Sequence, residues 1–358
     1  VRADHLARRN RVRATLNHEG FRGWLIVSTP ANVRYLTGFG GSNGFLLLGP
    51  EPDDDALGTD GRYADQSAEE CPGLTVVIDR ATLAALLEQA GPGSIGVEES
   101  IAWGQVAQIT VLRGEPTRVP PIIERERSVK DEVELRLLEL ACRVTSESLD
   151  VLASEVRTGC SEIALARRLE QLFGERGGDD RAFATIVASG PNSAIPHHRP
   201  GDRPLERGDL LVIDAGACVG GYHADMTRTF VVGTDPTEEQ SRLHAAVRDA
   251  QQRAMEACAV GVAAVELDAA ARGVLRDAGL EDRFTHGLGH GVGLQIHEAP
   301  GISQRAVGSI QADMAFTVEP GVYLPGLGGV RIEDTLVVDD TGPRVLTFGS
   351  RELRVVGD

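Results

Sequence analysis

Asp214, Asp225, His290, Glu319 and Glu333 carry metal-ligating side chains and lie in the last two-fifths of a 358-residue chain. Four carboxylates and one imidazole suit hard or borderline divalent cations. Two such ions, roughly 3.5–4 Å apart, can activate water for hydrolysis of an amide bond. That chemistry needs five side chains from separated segments to converge.

Each residue sits in informative surroundings. Asp214 closes the apolar run Leu210-Leu211-Val212-Ile213, so it stands at the end of a buried strand. A buried lone carboxylate is costly unless it is paired or metal-bound. Asp225 follows eleven positions later (225 − 214), with Gly220-Gly221 between to make a turn, so the two can face one another across a hairpin. A plainer arrangement fits the same residues: Asp214 capping a turn and Asp225 pairing with Arg228. His290 lies in His286-Gly287-Leu288-Gly289-His290-Gly291-Val292-Gly293, where dense glycine allows close backbone approach around an imidazole. A surface glycine loop with incidental histidines is the plainer alternative, and His286 reads as a buttress of the loop. Glu319 follows Phe316-Thr317-Val318, and Glu333 lies in Val330-Arg331-Ile332-Glu333-Asp334. Strand alternation places Arg331 on the face of Glu333 and Asp334 on the opposite one. His197-His198, bounded by Pro196 and Pro200, are by themselves a weak signal, since most such pairs face solvent.

The elements that would position these groups fall into two parts. Residues 1–123 read as a small α/β domain: a helix over 2–19, strands at Trp24–Val27, Phe45–Leu48 and Leu74–Ile78, and a helix at 81–90. Asn32, Tyr35 and Gly38 fall in a loop between the first two strands. A linker at Pro120-Pro121 leads into the second part, 124–358, where Ser128 is a plausible N-cap of a long helix. Val133, Leu137, Leu140, Val144 and Val151 mark its apolar stripe. A helix at 161–173, capped by Ser161, comes next. Two similar layouts follow: helices, a strand with a carboxylate, a turn, and another strand with a carboxylate. The second set uses helices at 237–259 and 265–279. Packed about a pseudo-twofold axis, the two halves would bring four acidic side chains together. The fold class is therefore mixed α/β (α+β).

Composition narrows the function. The length favours two domains, and 42% hydrophobic with 25% charged residues is a globular balance. The net charge of −17 argues against nucleic acid or an anionic membrane surface as partner. Five cysteines without a C-x-x-C pair read as free thiols in a reducing compartment. No apolar run approaches the ~18 residues of a membrane helix, and no secretory h-region opens the chain. The expectation is a cytoplasmic protein.

The segments TIVASGPNSAIPHH, GDLLVIDAGACVGGYHADMTRTF, HGLGHGVGLQIHEAPG and FTVEPGVYLPGLGGVRIED resemble the pita-bread metallopeptidases, within them the Xaa-Pro peptidase branch of aminopeptidase P and prolidase. The likeness spans about 125–350. NVRYLTGFGGSNG and TDGRY are similar to the creatinase-type N-terminal domain of that branch. The resemblance implies two divalent ions per subunit, manganese first, with cobalt, zinc or iron also compatible. It implies that Asp214 binds one ion, that Asp225 and Glu333 bridge both, and that His290 and Glu319 complete the other. Glu319 would also shuttle the proton, His197 and His297 would stabilise the tetrahedral intermediate, Thr227 would support a ligand, and Arg331 would support the site or touch substrate. It further implies a homodimer, with the 38–44 loop walling the partner's site. The loop Gly177–Arg181 departs from the family pattern in being more charged.

The implied reaction is hydrolysis of the bond between an N-terminal residue and a following proline. YLTGFGGSNG inclines the expectation towards aminopeptidase P, with Xaa-Pro dipeptidase (prolidase) as the alternative. A metal-free creatinase-type amidinohydrolase, or a non-catalytic binding module of the same fold, fits less well because all five ligand positions are filled.

Overall fold

The computed structural model describes residues 3–357, which form two compact units, one up to Arg127 and one from Ser128 on. Among the described residues no helix is long and apolar enough to cross a membrane.

The first unit is built on a six-stranded mixed sheet. Its order is Thr75–Ile78, Ala56–Thr59, Gly44–Leu48, Trp24–Val27, Ile95–Val97, Thr117–Arg118. Trp24, Ile26 and Leu47 pack with Leu83, Leu86 and Leu87 of the helix Thr82–Leu87 to make its core. Residues 30–37, expected in a loop, form the helix Pro30–Thr37, opened by Pro30 at its first position and closed by left-handed Gly38. The helix Ile122–Ser128 then runs to the junction.

The second unit shows its internal repeat plainly. In the first half the helices Glu132–Glu155 and Glu162–Glu175 precede an antiparallel meander of Ile186–Ser189, Leu210–Ala215 and Met226–Val232. In the second half Glu238–Ala257 and Ala264–Asp277 precede a meander of Gly289–Gly291, Met314–Val318 and Asp334–Asp339. Each helix pair covers one sheet. Leu165, Leu169 and Leu172 pack with Leu211, Ile213 and Phe230 in one half. Leu243, Val247, Ala250 and Ala254 pack with Phe316, Val318 and Leu336 in the other. Both sets follow the i, i+4, i+7 spacing of a helix face.

The longest helix departs from expectation at both its cap and its face. Asp131, not Ser128, caps it, accepting from the amides of Val133 and Glu134 while Glu134 returns a bond to the Asp131 amide. Its buried face is Leu138, Ala141, Thr145, Leu149 and Leu152; of the expected stripe Val144 is buried, whereas Leu140 is exposed and Val133, Leu137 and Val151 are half-buried. The small and polar residues win because they bond to what they pack on: the Ala217 amide donates to Thr145 Oγ1 at 2.9 Å, and the Phe348 amide to Ser146 Oγ at 3.0 Å. A reading that follows only large aliphatic side chains misses a face of this kind.

Candidate metal centre

The repeat places the carboxylates. Asp214 is the penultimate residue of the middle strand of the first meander, and Glu319 directly follows the middle strand of the second. Asp225 directly precedes the third strand of the first, and Glu333 directly precedes the third strand of the second. Asp225 and Glu333 thus occupy matching positions in two related meanders, and Asp214 and Glu319 lie near the ends of the matching middle strands. His290 comes from Gly289–Gly291, the first strand of the second meander. Between Asp214 and Asp225 the expected hairpin is present. Ala217–Val219 pairs with Tyr222–His223, and Gly220 and Gly221 turn between them with φ of 57° and 81°, a conformation that favours glycine. Directly across the ladder from Asp214, however, stands Thr227, while Asp225 lies beyond the pairing.

The side chains converge on one cavity of about 440 Å³. One ligand atom each from Asp225, His290 and Glu333 lies within 4.8 Å of the others. His290 Nε2 is 3.3 Å from Glu319 Oε1 and 3.6 Å from Asp225 Oδ2. Nδ1 of the same ring lies 3.2 Å from the Gly291 carbonyl, which fixes the proton there and turns the Nε2 lone pair to the acids. Burial, then neighbouring His297, lowers the His290 pKa to about 4, so the ring is neutral. The Nε2 lone pair therefore faces the carboxyl oxygens. Asp214 Oδ1, Asp225 Oδ1 and Glu333 Oε1 are buried with no hydrogen-bond partner. Burial and the crowding of like charge raise Asp225 and Glu333 well above the carboxylate range, and burial raises Glu319 to about 8. Orphaned acceptors of this kind are what a divalent cation satisfies, and oxygens with one imidazole suit manganese, cobalt or zinc. The donor set fits a metal.

Arg331 holds the cluster from one side. Its Nη2 donates to Asp214 Oδ2 at 2.7 Å, its Nε to Thr227 Oγ1 at 3.1 Å, and its Nη1 to Tyr323 Oη at 2.8 Å and the Pro196 carbonyl at 3.3 Å. Thr227 Oγ1 in turn donates to Glu333 Oε2 at 2.6 Å. His286 Nε2 meets Tyr323 Oη at 2.9 Å, consistent with the buttressing expected of it. Asp334 points away, as strand alternation requires, and pairs with Arg228 at 2.8 Å and Arg351 at 2.6 Å. The plainer pairing of Arg228 with Asp225 does not occur.

His197 and His297 line the same cavity, both exposed, and the His297 ring packs edge-on to His290 with centroids 4.3 Å apart. His198 turns the other way, to Glu162 Oε2 at 2.8 Å. Glu162 is fully buried and its other oxygen accepts from Ser189 and Asn192, so it ties down the loop that carries His197. Burial alone would raise the Glu162 pKa, but these donors outweigh it and lower it.

Three contributors escape a reading by motif: Thr317, Tyr323 and Glu162. Thr317 Oγ1 accepts from the His290 amide and donates to Glu319 Oε1 at 3.2 Å. A hydroxyl inside the apolar strand Met314–Val318 was its one visible signal. Glu162, at the first position of a helix, looks like an ordinary helix-start acid.

Residues 136–340 match the model of metallopeptidase family M24, and residues 8–129 match that of the creatinase/prolidase N-terminal domain. The Xaa-Pro dipeptidase of Pyrococcus horikoshii is 39% identical over 265 residues, covering 74% of this chain and 75% of that one. Among solved structures, a Xaa-Pro dipeptidase from Bacillus anthracis superimposes with a TM-score of 0.93 at 30% identity, covering 99% of this chain and all of that one. An X-Pro aminopeptidase from Thermotoga maritima gives 0.89 at 32% identity, covering 97% and 99%. The chain belongs to metallopeptidase family M24, in the pita-bread Xaa-Pro peptidase branch that carries the creatinase-type N-terminal domain, and is a metallo-exopeptidase.

Proposed function

We propose that this protein is a Xaa-Pro dipeptidase, cleaving the bond between a first residue and a following C-terminal proline. The observation that carries the hydrolytic chemistry is the convergence of four carboxylates and a neutral imidazole with three buried oxygens lacking protein partners. The dipeptidase reading, rather than aminopeptidase P, is favoured by relatives of 39% and 40% identity that bear the name Xaa-Pro dipeptidase. The segment that pointed to aminopeptidase P is engaged in the packing of the first unit. Asn43 donates to Asp60, Ser42 Oγ meets Tyr63 Oη, and the Gly40 amide donates to Glu70.

Asp214 would hold one ion, Asp225 and Glu333 both, and His290 and Glu319 the second. Manganese is the first choice, with cobalt or zinc compatible. Bound ions supply Lewis-acid polarisation of the scissile carbonyl and acidification of water. The chain's own residues do the rest. Glu319, held by Thr317, takes the proton from water and delivers it to the proline nitrogen as that bond breaks. His197 and His297, which line the same cavity, donate to the carbonyl oxygen as negative charge develops on it. Thr227 and Arg331 keep Glu333 and Asp214 aimed inward. We also infer a homodimer and a cytoplasmic location, on the family resemblance and the free cysteines.

One assay tests both levels. The manganese-loaded enzyme should hydrolyse Ala-Pro, leave Ala-Pro-Ala intact, and lose activity on exhaustive chelation. Cleavage of the tripeptide would restore the aminopeptidase reading, and chelator-resistant hydrolysis would remove the metal. Glu319→Gln should abolish turnover while the fold survives.

A further inference from the structure

Glu298 follows His297 directly and pairs with Gly291 across the strands Gly289–Gly291 and Glu298–Ile302. Residues 292–297 are the turn that this pair closes. The Glu298 carboxylate folds back into the turn. It accepts from the Gln295 amide at 3.3 Å and lies against Gly293, where a Cβ would overlap it. His223 fastens the same glycine, its amide and Nδ1 each 2.9 Å from the Gly293 carbonyl. From the other side comes Lys130, whose Nζ is 2.7 Å from Glu298 Oε1. Both side chains are buried, 0% and 4% exposed. Lys130 is itself anchored: its amide donates to the Asp313 carbonyl at 2.9 Å, and Val129 bridges to Met314. Met314 opens the strand Met314–Val318, which Glu319 directly follows.

We propose that Lys130 is a positioning residue for His297, its buried ion pair with Glu298 holding the 292–297 turn in the shape that brings the His297 ring against His290. A buried ion pair persists only with close, direct geometry, and removing one partner leaves a charge that seeks water. Here the carboxylate that loses the Lys130 charge is the one folded inside the turn, so the turn shifts and His297 moves with it. The pair thereby sets where a group that meets the reacting carbonyl stands. A shift of about 1 Å at such a group lowers turnover roughly 100-fold. The inference rests on the reading of His297 as a group that meets substrate.

The test compares Lys130→Met, Glu298→Gln and Lys130→Arg, each also in a His297→Ala background, using the manganese-loaded enzyme and Ala-Pro. Lys130→Met and Glu298→Gln are expected to lower kcat about 10- to 100-fold with KM within about threefold, and Lys130→Arg to retain most activity. Added to His297→Ala, they are expected to lower kcat by less than about twofold more. In zinc-loaded protein labelled with ¹⁵N-histidine, the His297 ring signals, identified by their loss in His297→Ala, should move in Lys130→Met while those of His286 stay. Full multiplication of the two effects, or unmoved His297 signals in either folded variant, would overturn the proposal. Wild-type protein that leaves Ala-Pro intact would overturn the dipeptidase reading alone, because the ring signals still decide where Lys130 places His297.

Discussion

Arg331 Nη2 lies 2.7 Å from Asp214 Oδ2, the cation nearest to a cluster of four carboxylates, and it does not act on Asp214 alone. The same guanidinium reaches Thr227, Tyr323 and the Pro196 carbonyl. Through Thr227 it controls Glu333, and through Pro196 the loop that carries His197. A lysine keeps the charge but presents one compact ammonium where a planar fork makes four contacts. Arg331→Lys is therefore expected to lower kcat/KM by at least about 100-fold while retaining the fold. Activity within twofold of wild type in steady-state assays would show that charge alone suffices.

How far the sequence foretold this site depended on the kind of residue. Asp214 and Glu319 were legible because an acid at the end of an apolar strand needs a reason to be there, Asp225 through the glycine turn that joins it to Asp214, and Glu333 through the strand-like text around it. The internal repeat was legible in the order of helices and strands, and the structure sharpens it by placing the acids at or near the ends of matching strands. Thr317, Tyr323 and Glu162 were not legible, because their roles rest on contacts across 27, 8 and 36 residues, to His290, Arg331 and His198. Spacing along a chain carries no trace of such pairings. The stripe of the helix Glu132–Glu155 was misread for a related reason, since Thr145 and Ser146 are buried by bonds to distant amides.

Metal removal should destabilise the protein in a pH-dependent way. Without ions, burial raises Glu319 to about 8 and, with mutual repulsion, raises Asp225 and Glu333. The folded carboxyl groups then keep protons that the unfolded chain releases above its ordinary carboxylate pKa. Stability tied to those protons is present at acid pH and is lost as pH rises towards 8. A bound cation replaces the protons. The Tm increase on adding manganese to stripped protein should therefore be larger at pH 8 than at pH 5.5. Calorimetry showing an equal or smaller increase at pH 8 would contradict the charge-crowded cluster.

His244 gives an independent test, away from the metal centre. It is buried on the helix Glu238–Ala257, and burial, then Arg248, lowers its pKa to about 4 from 6.5. The unfolded chain takes up a proton near pH 6.5 and the folded one does not until about pH 4. Stability from the neutral ring is thus complete above the unfolded value and is lost as pH falls through that window, the loss approaching about 3 kcal/mol at its lower end. His244→Leu should remove this share of the acid sensitivity. Measured against wild type in the same buffers, the variant should gain stability steadily from pH 7 to pH 4.5. A constant difference in denaturant-melting free energy across that range would mean that the ring is hydrated and charged in the folded protein.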